Sequence, residues 1–412
     1  MDAGLSNTMS ASSSSIRRQG KKGNIYVNDL HVGDDIFEGE DVLDGWLTHF
    51  SKLAEPSNNP ENDYEHLNLC EMDYDAIKDI CKNIPPRQIK RSEIEKAINS
   101  INRGKSEDIF GLAIENIIFA GEKFLDLLHR NINFIFENQL IPEFIKIGLL
   151  SPIFKNKGDK HQAKNYRSIV VLLIFIKLIE FIARIDLRPI LLSKQSPIQR
   201  GFTEGTSPIN AAVIFEEVYR EFEDQNNPFY IALLDAKAAF DVVVLKILMR
   251  KAYLLGIDLS TWLIIDELHR NTRSVVKSNN QISQEFYSSQ GVKQGALLSA
   301  DLYKLYLEDM LNTLSLYKIG CTIGSINVNA VACADDVALI SDTPYDLQIL
   351  LNTAVLYSQK HHYTFQPQKS VIIPVSEKLP KSNKPTLTFR INGEEMPNVE
   401  KSSHLEFDPR AD

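Results

Sequence analysis

Four cysteines in 412 residues, Cys70, Cys81, Cys321 and Cys333, are too few and too scattered for a disulfide framework. None stands in the C-x-x-C spacing of a zinc or redox motif, so a reducing intracellular setting is expected. Long apolar runs are also missing. The longest, 169–176, falls far short of the roughly 20 residues that span a bilayer, and no membrane partner is expected. The N-terminus is polar and Ser-rich, unlike a signal peptide. Positive charge is not in excess. Lys and Arg number 45 against 54 Asp and Glu, a net charge of -9 that argues mildly against a nucleic-acid partner. A P-loop, a G-x-G-x-x-G fingerprint and an internal repeat are all absent, which removes Walker-type, Rossmann-type and solenoid readings.

What is there suits a soluble chain of two or three domains, with 43% hydrophobic and 24% charged residues. Residues 1–24 are Ser-rich and then basic, and read as a disordered arm. Residues 25–86 form an acidic extension in which Leu43, Trp46, Leu47 and Phe50 suggest a helix. Pro85-Pro86 marks a boundary. Ser92 with Glu95 reads as a capping box before a helix lined by Ile94, Ala97, Ile98 and Ile101. Phe124, Leu125, Leu128, Ile132 and Ile135 suggest a second helix, and 147–154 a strand. A cationic turn follows, Lys155-Asn156-Lys157-Gly158-Asp159-Lys160, with Lys164 and Arg167 beyond it. It is either a solvated hairpin tip or a grip for a triphosphate. The run 169–176 reads as the start of a buried helix.

Carboxylates carry the strongest chemistry. Asp34-Asp35, among Glu38, Glu40, Asp41 and Asp44, reads as a solvated acidic loop. Asp335-Asp336 differs, because Asn329, Val331 and Cys333 before it and Val337 and Leu339 after it suggest a hairpin with the pair at its turn. Buried acids of this kind need a partner, and a divalent cation is the usual one. A second carboxylate, Asp235, ends the apolar strand 229–234, with a helix expected after it from Ala236, Ala238 and Ala239. If these strands are neighbours, three carboxylates converge, as two-metal phosphoryl transfer requires. Thr343-Pro344 opens another helix, with Leu347, Leu350, Leu351 and Ala354 on one face.

The chain resembles the reverse transcriptases of non-LTR (LINE-type) retrotransposons. Leu234-Asp235-Ala236-Lys237-Ala238-Ala239-Phe240-Asp241 resembles the first palm motif of that family. Gly291-Val292-Lys293-Gln294-Gly295-Ala296-Leu297-Leu298-Ser299 resembles the second, and Cys333-Ala334-Asp335-Asp336 the third. Pro152-Ile153-Phe154-Lys155 through Asn165-Tyr166-Arg167-Ser168-Ile169 resembles the fingers motifs, and Gln199-Arg200-Gly201-Phe202 the segment linking fingers to palm. The resemblance implies an α+β right-hand polymerase fold, with fingers over 87–228, palm over 229–378 and the start of a palm–thumb hairpin over 379–412. It implies RNA-directed DNA synthesis from dNTPs on an RNA template and DNA primer, in the nucleus or cytoplasm, with Mg²⁺ as cofactor and Mn²⁺ as a substitute. Asp235, Asp335 and Asp336 would hold the metal. Arg167 and Lys155 would hold the triphosphate, Gln294 and Gly295 would line the nucleotide site, and Phe240 would stand at the steric gate. Lys369 would protonate the leaving pyrophosphate.

Several positions depart from the family pattern. Cys333 replaces an aromatic residue, Phe110 stands where an aspartate is usual, and Gln366 stands where asparagine is commoner. No thumb, endonuclease domain or Cys/His knuckle is expected from these residues. The alternative reading is therefore a truncated, inactive remnant that at most binds nucleic acid.

Overall fold

A computed structural model of the chain describes residues 27–375 and 387–400. The disordered arm expected over 1–24 lies outside the described residues, as do parts of the expected hairpin segment 379–412. The N-terminal part folds as a hairpin of β1 (Asp29–Val32) and β2 (Asp35–Glu38), with Asp34 and Asp35 exposed at its turn. Helices α1 (Val42–Leu53), α2 (Tyr64–Cys81), α3 (Arg91–Ser100), α4 (Ile114–Ile118) and α5 (Glu122–Asn138) follow. The helix expected around Trp46 and Phe50 is α1, which buries both. Helix α3 begins two residues earlier than expected. Its N-cap is Lys90, whose N–H donates to Glu93 Oε2 at 2.9 Å, so Glu93 fills the role expected of Glu95 and Ser92 lies inside the helix.

Two sheets organise the rest. The first holds β3 (Ile147–Phe154), β4 (Tyr166–Leu172), β6 (Thr272–Ser278), β7 (Gln281–Ile282) and β8 (Phe286–Ser288). Its order is β4-β3-β6-β7 with β8 on β6, and only β3–β6 is parallel among these pairs. The apolar run 169–176 does not open a helix as expected. Its β-branched first half, Ile169, Val170 and Val171, completes β4 opposite β3, and α6 (Ile174–Lys194) starts only after Leu173. Asp108 fixes that start, since its Oδ2 accepts from Ile174 N at 3.1 Å while Oδ1 accepts from Phe110 N and Leu112 N. Phe110 itself is exposed.

The second sheet has the order β11-β12-β5-β13 and is antiparallel throughout. Its strands are β5 (Phe229–Leu234), β11 (Ala330–Cys333), β12 (Asp336–Ser341) and β13 (Val371–Val375). Strand β5 reads as an unbroken apolar run because both of its faces are covered. Phe229, Ile231 and Leu233 join a small core with Ala211, Phe215, Val218 and Phe222 of α7 (Pro208–Asp224). Ala232 and Leu234 point the other way, into the main core with Leu347, Leu350 and Leu351 of α11 (Pro344–Lys360). Between β5 and α11 lie α8 (Leu245–Leu255), α9 (Leu259–His269), α10 (Ser299–Leu316) and a hairpin of β9 (Cys321–Ile323) and β10 (Ile326–Val328). A last hairpin pairs β14 (Arg390–Ile391) with β15 (Glu394–Glu395). This is the mixed α+β architecture expected from the motifs. No helix among the described residues is long and apolar enough to cross a membrane.

Candidate active site

The site forms where the central strands of the second sheet end together. Leu234 of β5 pairs with Val337 of β12, and Asp336 pairs with Cys333 of β11. One step beyond the Leu234–Val337 pair, the antiparallel register brings Asp235 to the level of Asp336. Asp335 lies on the two-residue turn Ala334-Asp335 that joins β11 to β12, and Ala334 adopts φ +61, a region L residues rarely occupy. The sheet thus gathers all three expected carboxylates at one end.

The chain after Asp235 is a turn, not the expected helix, and α8 begins only at Leu245. The alanines of this segment favour helix, but tertiary pairing overrides that preference. Ala236 bridges Phe365, Lys237 N–H donates to Thr364 O at 2.9 Å, and Ala238 takes φ +51. Asp235 is held from the same side. Its N–H donates to Ser370 Oγ at 3.0 Å, and its Oδ2 accepts from Gln366 Nε2 at 2.5 Å. Gln366, noted only as a departure from the asparagine pattern, is therefore a ligand of the carboxylate.

Phe240 stacks on Tyr303 of α10, with ring centroids 4.6 Å apart and planes 18° from parallel. The Tyr303 phenol is buried, and burial followed by Asp335 and its neighbours raises its pKa well above the ordinary value. Tyr303 thus connects Phe240 with the neighbourhood of Asp335 and Asp336. Sequence reading missed it, because a tyrosine in the apolar stripe of a helix carries no signal of its own. Cys333, half-buried, has its thiol pKa raised by burial and then by Asp336 and Asp335.

Asp241 links the two sheets. Its carboxylate accepts from Ser168 Oγ of β4 and from Gln294 Nε2, each at 2.9 Å. Burial pushes its pKa up to about 6, against the pull of those two hydrogen bonds. The Gln294 carbonyl in turn accepts from Val170 N of β4 at 2.8 Å. Gly295 has φ +102, and a Cβ there would lie 2.9 Å from Val170 O, so only glycine fits this approach. Gln294 and Gly295 therefore stand beside the strand that carries Arg167, which is exposed. Lys155 follows β3, and its ammonium donates to Lys164 O at 2.9 Å. Its pKa is lowered by burial, then by Lys369 and Arg167, while Asp241 and Asp235 oppose the shift. Lys155 thus lies within electrostatic reach of Lys369 and Arg167 on one side and of Asp241 and Asp235 on the other. All nine expected site residues lie in this one region.

Carboxylates at adjacent strand ends are hard oxygen donors and suit a hard divalent cation. Among the described residues no three such side chains are yet closed around a common point. Asp235 accepts from Gln366 through Oδ2, and its Oδ1 is the oxygen left to share an ion with Asp335 and Asp336. The donor set fits a hard divalent metal.

Strand-end aspartates on an antiparallel sheet, flanked by cations from a second sheet, define a right-hand polymerase fingers and palm. The family model for reverse transcriptase (RNA-dependent DNA polymerase) matches residues 155–388, more than half of the chain. Curated relatives include a Pol polyprotein from the type-2 retrotransposable element R2DM of Drosophila melanogaster, 31% identical over 156 residues. Another is a Pol polyprotein from the type-1 retrotransposable element R2 of Popillia japonica, 26% identical over 221 residues. A third is the transposon TX1 149 kDa protein of Xenopus laevis, 25% identical over 264 residues. These matches cover 38%, 53% and 63% of this chain, but only 15%, 31% and 20% of the relatives. Among solved structures, a Candida tropicalis apo telomerase truncated from its C-terminal domain aligns with a TM-score of 0.43 and 15% identity, over 64% of this chain and 57% of that one. The chain belongs to the reverse transcriptase family, and the curated relatives it resembles are proteins of retrotransposable elements and a transposon.

Proposed function

We propose that this chain extends a DNA primer on an RNA template, joining dNTPs to the primer 3′-hydroxyl. In this reading the fingers comprise 87–228, joined by the strands β6 to β8 from 272–288, and the palm comprises the remainder of 229–378. The hairpin of β14 and β15 belongs to the passage from palm to thumb. Asp235, Asp335 and Asp336 hold Mg²⁺, for which Mn²⁺ can substitute. Held there, a divalent ion would supply activation of the attacking hydroxyl and neutralisation of charge on the leaving pyrophosphate. Arg167 presents its planar fork to phosphate oxygens, and Lys155 and Lys369 add point charges. Lys369 is the proton donor to pyrophosphate. Phe240, braced by Tyr303, opposes a ribose 2′-hydroxyl, and Gln294, anchored by Asp241, lines the sugar and base side.

One observation carries this reading: Asp241, six residues beyond Asp235, accepts from Ser168 beside Arg167 and from Gln294, which joins the expected nucleotide-binding strand to the segment that carries the palm carboxylate. Primer extension by the 412-residue chain on poly(rA)/oligo(dT) tests it. The expected result is a Mg²⁺-dependent product that disappears in Asp335→Asn. No product, or product that survives that substitution, rejects the mechanism. The second reading, a non-catalytic nucleic-acid binder, draws on the net charge of -9 and on the Gln366 contact that occupies one oxygen of Asp235. Hybrid binding without extension, indifferent to Asp235→Asn, would select it.

A further inference from the structure

The segment that joins fingers to palm does more than connect them. Residues 198–201 run alongside β11 as an added strand: Ala332 N–H donates to Ile198 O at 3.1 Å and Arg200 N–H to Ala332 O at 2.7 Å. Gln199 bridges Ala332 in parallel register, and its side chain, 2% exposed, reaches the turn beyond. There Oε1 accepts from Ala334 N at 2.9 Å, and Nε2 donates to Ala334 O at 3.3 Å. Oε1 also accepts from Gly201 N at 2.8 Å. Gly201 packs so closely that a Cβ on it would stand 2.1 Å from Ala334 N.

We infer that Gln199 is a positioning residue for the metal-binding turn, a role that rests on the polymerase reading above. Its amide grips both peptide units of Ala334, the one before it through N–H and the one after it through C=O. The second of these units leads directly into Asp335, so holding it fixes the direction from which the Asp335 side chain leaves. Ala334 needs such a hold, because φ +61 is not a conformation alanine keeps by itself. A neutral amide suits the place. It offers an acceptor and a donor together without adding charge beside Asp335 and Asp336.

The grip is itself anchored deep in the protein. Gln195 Nε2 donates to Gln199 O at 3.1 Å and to Thr203 Oγ1 at 2.9 Å. Lys304 of α10, 0% exposed, donates to Gln195 Oε1 at 3.2 Å and to Phe202 O at 3.3 Å. Asp301 pairs with Lys304 at 3.3 Å and with Arg184 of α6 at 2.6 Å. A buried chain of polar contacts therefore runs from α6 through α10 to the turn.

Hydrogen exchange on the full chain carrying ¹⁵N-alanine tests the inference, since Ala334 reports the turn and Ala338 the middle of β12. In Gln199→Met the Ala334 amide should exchange about 10-fold faster or more, with Ala338 unchanged. Mn²⁺ affinity, read from the EPR signal of the free ion, should fall about 5-fold or more, and kcat for primer extension about 10-fold at unchanged dNTP KM. If Gln199→Met also exposes Ala338, Gln199→Glu decides instead. It keeps the acceptor and loses the donor, so Ala334 N–H should stay protected while kcat falls. Ala334 exchange and Mn²⁺ affinity within about two-fold of wild type would overturn the inference. An inactive wild-type chain would overturn the polymerase reading, while the Ala334 amide would still decide whether Gln199 holds the turn.

Discussion

At the acidic end of the site, Asp235, Asp335 and Asp336 are carried by neighbouring strands of one sheet, and backbone register brings them level. On the cationic side, Arg167 and Lys155 come from a different sheet and reach the same space through Ser168, Asp241, Gln294 and Val170. The first region is set by main-chain pairing, so its tolerance is low and its failures should be complete. The second is set by side-chain contacts across an interface, so its failures should be graded. The difference suggests a division of labour, with chemistry fixed by the palm and nucleotide affinity adjusted by how the fingers dock.

The sharpest break of this contrast is Asp335→Asn or Asp235→Asn. Each keeps shape and register but removes a charged donor, so kcat should fall about 1,000-fold or more, roughly 4 kcal/mol of transition-state stabilisation. Thermal unfolding should barely change, because both residues are only half-buried at strand ends. A variant that loses activity together with its fold would show that the acidic end is structural first.

These two regions were also unequally legible. Strands β5 and β12 stood out as apolar runs with an acid at one end, and the hairpin that holds Asp335 follows from alternation alone. The helix expected after Asp235 failed because Lys237 and Ala238 answer to residues far along the chain, around Thr364. Gln366, Asp241 and Gln199 were missed as site residues for a related reason. Their partners lie 131, 53 and 135 residues away, and only folding reveals the pairing. The motifs gave the family and the three acids proposed to hold the metal. They could not give the hydrogen bonds that hold those acids in place, because neutral amides have no distinctive spacing.

Next in size is a test of the interface itself. Glu180 of α6 is buried, accepts from Leu297 N at 3.1 Å, and has its pKa pushed up to about 7 by burial. The folded protein therefore keeps a proton that the unfolded chain releases near 4.5. This stabilisation is complete below about 4.5 and is lost as pH rises through about 7. Urea denaturation should show wild type losing about 2–3 kcal/mol between pH 5 and pH 8 relative to Glu180→Gln, which keeps the acceptor for Leu297. Parallel pH profiles would mean that Glu180 is already ionised and paired at pH 5.

Arg167 measures the cationic side directly. Arg167→Ala should raise dNTP KM about 30-fold, near 2 kcal/mol, with a smaller change in kcat. Arg167→Lys should recover only part of this, since an ammonium cannot reproduce the bidentate fork. Steady-state kinetics across dNTP concentrations separates the two parameters. If kcat falls and KM holds, Arg167 belongs to the chemical step and the division of labour is wrong.

The smallest effect probes the joint between the regions. Asp241 anchors Gln294 to Ser168, and its pKa lies at about 6 because burial opposes its ionised form. Below that pH the carboxyl takes up a proton, one of its two oxygens becomes a donor, and its hold on two donor side chains must weaken. Wild-type dNTP KM should therefore rise as pH falls through about 6, by about five-fold or 1 kcal/mol, the worth of one hydrogen bond. Asp241→Asn has no proton to gain. It should show a KM near wild type at pH 7.5, because its oxygen can still accept from Gln294 while its amide donates to the Ser168 hydroxyl. Its KM should then stay flat down to pH 5.5. Kinetics of both proteins over this range would locate the coupling. A pH effect that persists in Asp241→Asn would assign it to another group, and the fingers would then be docked by backbone contacts such as Val170 to Gln294 rather than by the Asp241 carboxylate.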